Sequence, residues 1–144
     1  MVLAPQTQFT LASRSSINDA STGVCARWYF ELRLEEECSR ALRNGRAITL
    51  VTLQVEAAKA REAARRLKAS LRSYDLVGSL GGGQLVVAVM DSGKAERDQL
   101  VERLRGAVGA ASDVGAACFP QDGITFEALL KRAEPSLATV ALAA

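Results

Sequence analysis

The chain has 144 residues, 49% of them hydrophobic and 24% charged, which suits one globular domain built round one core. A net charge of +2 gives no electrostatic case for a nucleic-acid partner, and the longest apolar runs, Ile48–Leu53 and Leu85–Met90, are far too short to span a bilayer. Histidine is absent, which excludes His-based acid–base chemistry, Ser-His triads and most zinc sites.

Residues 1–20 are rich in Ser, Thr, Gln and Asn, carry Pro5 and show little periodicity, so they read as a flexible N-terminal arm ahead of a domain over 21–144. No basic stretch followed by an apolar core marks a signal peptide, and the cytoplasm is the expected location. A helix is predicted from about Thr22–Gly23 to Arg43, with Phe30, Leu34, Cys38 and Leu42 as its apolar stripe and Asn44-Gly45 as its end. The β-branched run over 47–55 predicts a central strand. Ala-, Arg- and Lys-rich residues 56–73, with Leu67 and Leu71, predict a second helix.

Two strands, Asp75–Leu80 and Gln84–Met90, flank three consecutive glycines, a hairpin signal. A third helix runs from Gly93 to about Gly109, its inner face carrying Leu100, Val101, Leu104 and Val108. Asp113–Phe119 reads as the last strand, Pro120-Gln121-Asp122-Gly123 as a turn, and Phe126–Leu137 as a final helix ended near Pro135. The three cysteines, Cys25, Cys38 and Cys118, are scattered and odd in number, so they read as small packing residues. Trp28 and Tyr29 read as packing residues too, or, if exposed, as an aromatic pair for a partner interface. The order, a helix, then β-α-β-β-α-β, then a helix, is an α+β ferredoxin-like core: an antiparallel four-stranded sheet with both crossover helices on one face and flanking helices beside it.

Arg72-Ser73-Tyr74-Asp75, then five residues, then Gly81-Gly82-Gly83-Gln84-Leu85, resembles the signature of the GGDEF (diguanylate cyclase) family, in which an Arg-x-x-Asp motif precedes a Gly-Gly-[Asp/Glu]-Glu-Phe turn. Three further segments resemble that family in the same order. Asp19-Ala-Ser-Thr22-Gly23-Val24-Cys-Ala26-Arg27 is similar to its opening Asp-x-Leu-Thr-Gly-Leu-x-Asn-Arg. Val114-Gly115, with Phe119-Pro120-Gln-Asp122-Gly123, is similar to its late strand and turn. Leu129-Leu130-Lys131-Arg132-Ala133-Glu134 is similar to its last helix. The resemblance implies a nucleotide-cyclase-like fold, reached here independently from the order of elements.

It also implies how the chain departs from the family. Active members hold two Mg²⁺ ions between a carboxylate at the end of the first strand and the acidic turn, and phosphoryl transfer needs that charge. The matching positions are Gln54 and Gly83, so the signature turn Gly81, Gly82, Gly83, Gln84, Leu85 is degenerate, with Glu56 and Lys59 as a remnant beside it. Only 15 residues separate Glu56 from Arg72, which leaves no room for the family's guanine-reading loop. The family's phosphate-binding Lys falls at Ala141, and its hairpin before the last strand is missing between Gly109 and Asp113. No catalytic residue, metal ligand or cofactor is therefore expected, and the chain is expected not to be an enzyme.

The Arg-x-x-Asp motif survives. In the family it forms a product-binding inhibitory site for cyclic di-GMP, completed by a second Arg on the following helix, which falls at Arg103 here. Arg presents paired donors to guanine O6 and N7, and Asp accepts from the guanine N1–H and N2–H₂ edge. The resemblance thus implies a cyclic di-GMP receptor using Arg72, Asp75 and Arg103. It would signal to another protein or a second copy of itself, with no nucleic acid and no membrane insertion. The alternative is an interaction or dimerisation module that binds no nucleotide. On that reading Arg72 and Asp75 are a surface ion pair at a helix end.

Overall fold

The sheet is assembled from strands whose faces are both apolar. In the computed structural model, which describes residues 16–109 and 113–133, β1 (Ile48–Gln54) is buried along nearly its whole length. It lies between β3 (Gln84–Met90) and β4 (Asp113–Phe119), antiparallel to both, and β2 (Leu76–Gly81) pairs with β3, giving the order β2-β3-β1-β4. A strand buried on both faces reads as a continuous apolar run rather than an alternating one, which is what residues 48–53 show.

Two hydrophobic clusters cover the two faces. On one face Ile48, Leu50, Val86, Ala88, Ala117 and Phe119 pack against α1 (Arg27–Asn44) and α4 (Phe126–Ala133). Phe30 and Phe126 meet edge to face there, with ring centroids 5.9 Å apart. On the other face Val51, Leu53, Val77, Leu85, Val87 and Val89 pack against α2 (Ala60–Ala69) and α3 (Lys94–Val108). The two crossover helices therefore share one face, the ferredoxin-like arrangement that the element order predicts.

Several boundaries differ from the expected ones, each for a local reason. α1 begins at Arg27 rather than at Thr22–Gly23. The Asp19 carboxylate accepts from the Thr22 amide and hydroxyl at 3.1 and 2.6 Å, and Gly23 turns back with φ +79°. The chain then runs extended through Cys25, which bridges to Gly78 on the outer edge of β2. Ser16 and Ile17 belong to this segment: their carbonyls accept from Trp28 Nε1 and the Ala26 amide.

The buried stripe of α1 is Phe30, Leu34, Cys38 and Ala41, while Leu42 is exposed, because the stripe steps back by one residue in the last turn. Gly45 ends the helix in the left-handed region, as expected. The helix expected over 56–73 is a 3₁₀ turn, Ala57–Lys59, followed by α2, which stops at Ala69. The Arg72–Asp75 turn takes up the remaining residues. The expected continuation of α4 to Leu137 lies outside the described residues.

Gly83 and Gly78 sit where packing leaves little room for a side chain. A Cβ on Gly83 (φ +84°) would stand 2.1 Å from the Val55 carbonyl oxygen, and a Cβ on Gly78 would stand 2.8 Å from the Phe30 ring. The first presses the signature hairpin onto the end of β1. The second lets α1 sit close on β2. No helix among the described residues is long and apolar enough to cross a membrane.

Candidate functional site

Between the end of α2 and the start of β2 the chain makes a tight turn. The Asp75 amide donates to the Arg72 carbonyl at 3.0 Å. The Asp75 carboxylate closes the turn from the other side: Oδ2 accepts from the Arg72 amide at 3.0 Å and from Arg72 Nε at 3.4 Å. Its other oxygen, Oδ1, accepts from the Met90 amide at the end of β3, also at 3.0 Å. The Asp75 side chain is only 1% exposed.

These bonds fix Arg72. Its Nη2 donates to the Met90 carbonyl at 3.0 Å, and its guanidinium carbon lies 5.0 Å from the centre of the Tyr74 ring. Half of the Arg72 side chain, 51%, stays open to solvent. A guanidinium carries five N–H donors, so those not committed to Asp75 and Met90 are left for a ligand.

Arg72 forms one wall of a cleft of about 340 Å³ between β3 and α3. Arg103 and Gln99, from α3, form the opposite wall, and Asp91, Ser92 and Glu96 line the end where β3 passes into α3. Arg103 is exposed and forms no ion pair among the described residues. Asp91 is tied instead to Arg46 at 2.8 Å, and Glu96 caps α3 by accepting from the Gly93 amide at 3.2 Å. Two guanidinium groups thus face one cleft with little opposing charge free to pair with them. That is suited to a planar, hydrogen-bonding anion.

Of the expected site residues, Arg72 and Arg103 come together at this cleft. Asp75 does not line it. Both its oxygens accept backbone N–H groups, and its side chain is 1% exposed. In this arrangement its bonds to the Arg72 amide and Nε hold the arginine in place. The sequence reading missed Asp91, Ser92, Glu96 and Gln99. The only signal for them was the Asp-Ser-Gly turn before a helix, which announces a cap rather than a cleft.

The signature turn lies away from this cleft, beside the end of β1. All three of its glycines have positive φ: Gly81 at +92°, Gly82 at +62° and Gly83 at +84°. The Gln54 amide donates to the carbonyls of Gly82 and Val55 at 3.0 and 3.1 Å. Gln84 pairs with Gln54 across the ladder, and Leu85 is buried. With its amide turned to the hairpin, Gln54 offers no charged ligand to Mg²⁺, and the residues here do not fit the two-metal site of the resemblance. Position 141 lies outside the described residues.

No family model matches the chain. Among curated proteins it is similar to MucR of Pseudomonas aeruginosa, a bifunctional diguanylate cyclase/cyclic di-GMP phosphodiesterase, at 24% identity over 85% of this chain and 22% of that one. It is similar also to the response regulator PleD of Caulobacter vibrioides, at 26% identity over 83% of this chain and 32% of PleD. The chain thus spans a third or less of the length of these relatives.

Among solved structures, a sensory box/GGDEF family protein from Caulobacter crescentus superposes with a TM-score of 0.77 at 22% identity, over 90% of this chain and all of that one. The GGDEF domain of DgcB from Caulobacter crescentus, solved in complex with c-di-GMP, gives 0.74 at 15% identity, over 88% of each chain. Diguanylate cyclase SiaD of Pseudomonas aeruginosa, solved in complex with its activator SiaC, gives 0.71 at 25% identity, over 96% of this chain and 63% of that one.

These relatives correct one expectation. The chain was expected not to be an enzyme, because Gln54 and Gly83 stand where carboxylates were sought and the segment from Glu56 to Arg72 leaves no room for the guanine-reading loop. MucR and SiaD are diguanylate cyclases, and a match over 85% of the chain includes the strand and the turn that carry those two residues. These departures from the family's pattern do not separate the chain from its cyclase relatives. With its sheet order, paired helix layers and structural neighbours all in agreement, the chain has a GGDEF-like fold.

Proposed function

We propose that this domain binds cyclic di-GMP in the cleft between Arg72 and Arg103 and serves as a receptor for it. The observation that carries this reading is the placement of the two guanidinium groups. Sequence places them 31 positions apart, and the fold sets them on one cleft of about 340 Å³, with Arg72 held by Asp75 and Met90. An arginine fixed on its inner side and open on its outer side is set up to present two parallel donors to guanine O6 and N7. Arg103 supplies a second cation for the phosphodiester. The DgcB complex with c-di-GMP supports the ligand class, since that domain shares this fold.

A bound nucleotide would act on something beyond the cleft, and the signal passes by contact with another protein or a second copy of the domain. SiaD held by its activator SiaC is a precedent for protein contact in a related fold. The test is calorimetric titration of the purified chain with cyclic di-GMP, with GTP as control, repeated on Arg72→Ala and Arg103→Ala. Saturable heat lost in both variants supports the site. Equal affinity in all three proteins places the ligand elsewhere.

A further inference from the structure

The turn that holds Arg72 also displays Tyr74. The Asp75 amide bonds back to the Arg72 carbonyl, so Ser73 and Tyr74 are the two central residues of the turn and point outward. Tyr74 is 51% exposed, and its ring faces the Arg72 guanidinium. The turn would close equally well with a polar residue at this position, since its bonds come from Arg72, Asp75 and Met90.

The ring stands between two clefts. Its contact with Arg72 backs the cleft of about 340 Å³, and Tyr74 itself lines a second of about 250 Å³ with Ile48, Met90 and Arg46. Asp91 borders both. Arg72 is therefore held on three sides: by the Asp75 carboxylate at Nε, by the Met90 carbonyl at Nη2, and by the Tyr74 ring. The hydrogen bonds fix where the guanidinium sits, and the ring restrains its tilt.

We propose that Tyr74 is a positioning residue for the ligand cleft. It packs its ring face on Arg72 so that the guanidinium presents a fixed donor edge to guanine O6 and N7. A guanidinium stacks on aromatic faces through its delocalised charge, and one already stacked loses less freedom when a ligand arrives. This inference rests on the Arg72–Arg103 cleft being the nucleotide site.

The experiment titrates cyclic di-GMP calorimetrically into wild type, Tyr74→Phe, Tyr74→Trp and Tyr74→Leu, with thermal unfolding of each as a folding control. Phe and Trp keep the ring and are expected to stay within about twofold of wild type, while Leu, similar in bulk but without a π face, is expected to weaken binding roughly 3- to 10-fold. Unfolding midpoints should match, since the position is exposed. Leu binding as tightly as Tyr overturns the inference and leaves the cleft intact. Phe and Leu weakened alike also overturns it, because the ring would not be what matters. Absence of binding by wild type defeats the receptor reading itself and this inference with it.

Discussion

Asp75 and Met90 join the start of β2 to the end of β3: the Asp75 Oδ1 accepts from the Met90 amide at 3.0 Å, with the side chain 1% exposed. The bond makes a residue of the candidate ligand motif part of the fold, so removing it has a structural consequence apart from any ligand. Asp75→Ala strands a buried amide and is expected to cost about 1–3 kcal/mol in chemical denaturation. Asp75→Asn retains an acceptor for Met90 and should cost less. Equal and negligible shifts in denaturation midpoint for both variants would show that the bond contributes nothing.

The triple-glycine hairpin is expected to discriminate between its members. Gly83 combines φ +84° with a Cβ position 2.1 Å from the Val55 carbonyl, whereas Cβ positions on Gly81 and Gly82 meet nothing within 4 Å. Gly82→Ala should therefore cost about 1 kcal/mol from backbone strain alone, and Gly83→Ala more than about 2 kcal/mol because strand and turn must separate. Thermal unfolding of the set checks the order. Gly83→Ala as mild as Gly82→Ala would show that the hairpin does not press on β1.

Gly78 tests the packing of α1 on the sheet. A methyl group there would lie 2.8 Å from the Phe30 ring in the centre of a core cluster. Gly78→Ala is expected to destabilise by roughly 1–3 kcal/mol through overpacking, and Phe30→Leu in the same chain should return part of that loss. Additive losses in a double-mutant cycle would mean that the two sites do not touch.

Acid sensitivity follows from Asp122. Its carboxyl is held below the ordinary 3.8, first by the Cys118 amide that donates to Oδ2 at 2.8 Å, then by the charges of Lys94 and Arg132. A carboxyl whose folded pKa is depressed stabilises the fold fully above its unfolded pKa, and that stability disappears as pH falls through the folded one. The stability gap between wild type and Asp122→Asn, read from urea midpoints, should therefore be widest near neutrality and shrink below about pH 4. A gap independent of pH would assign the effect to shape rather than charge.

The sheet was legible in the sequence because short apolar runs bounded by turn residues allow few other readings: Gln84–Met90 and Asp113–Phe119 match their predicted limits. The start of α1 was not, because the Asp19–Thr22 bonds and the Cys25 bridge to β2 are tertiary, and local propensity does not report them. The end of α2 was misplaced for a related reason: Leu71 continues the helical pattern, yet the Arg72–Asp75 turn takes precedence. At the candidate site the resemblance singled out Arg72 and Arg103, and both line the same cleft. It could not show that Asp75 faces inward, since spacing says nothing of which backbone amides a carboxylate will meet.

The central claim is that Arg72 and Arg103 share one nucleotide. Its most direct test is calorimetric titration of cyclic di-GMP into wild type, Arg72→Ala, Arg103→Ala and, as a remote control on α4, Lys131→Ala. Each arginine variant is predicted to bind roughly 5- to 150-fold more weakly, the loss of one bidentate or charge-assisted contact, while Lys131→Ala binds as wild type does. Wild type giving no heat and no shift of its melting temperature at millimolar ligand, or binding unchanged in both arginine variants, would contradict the account.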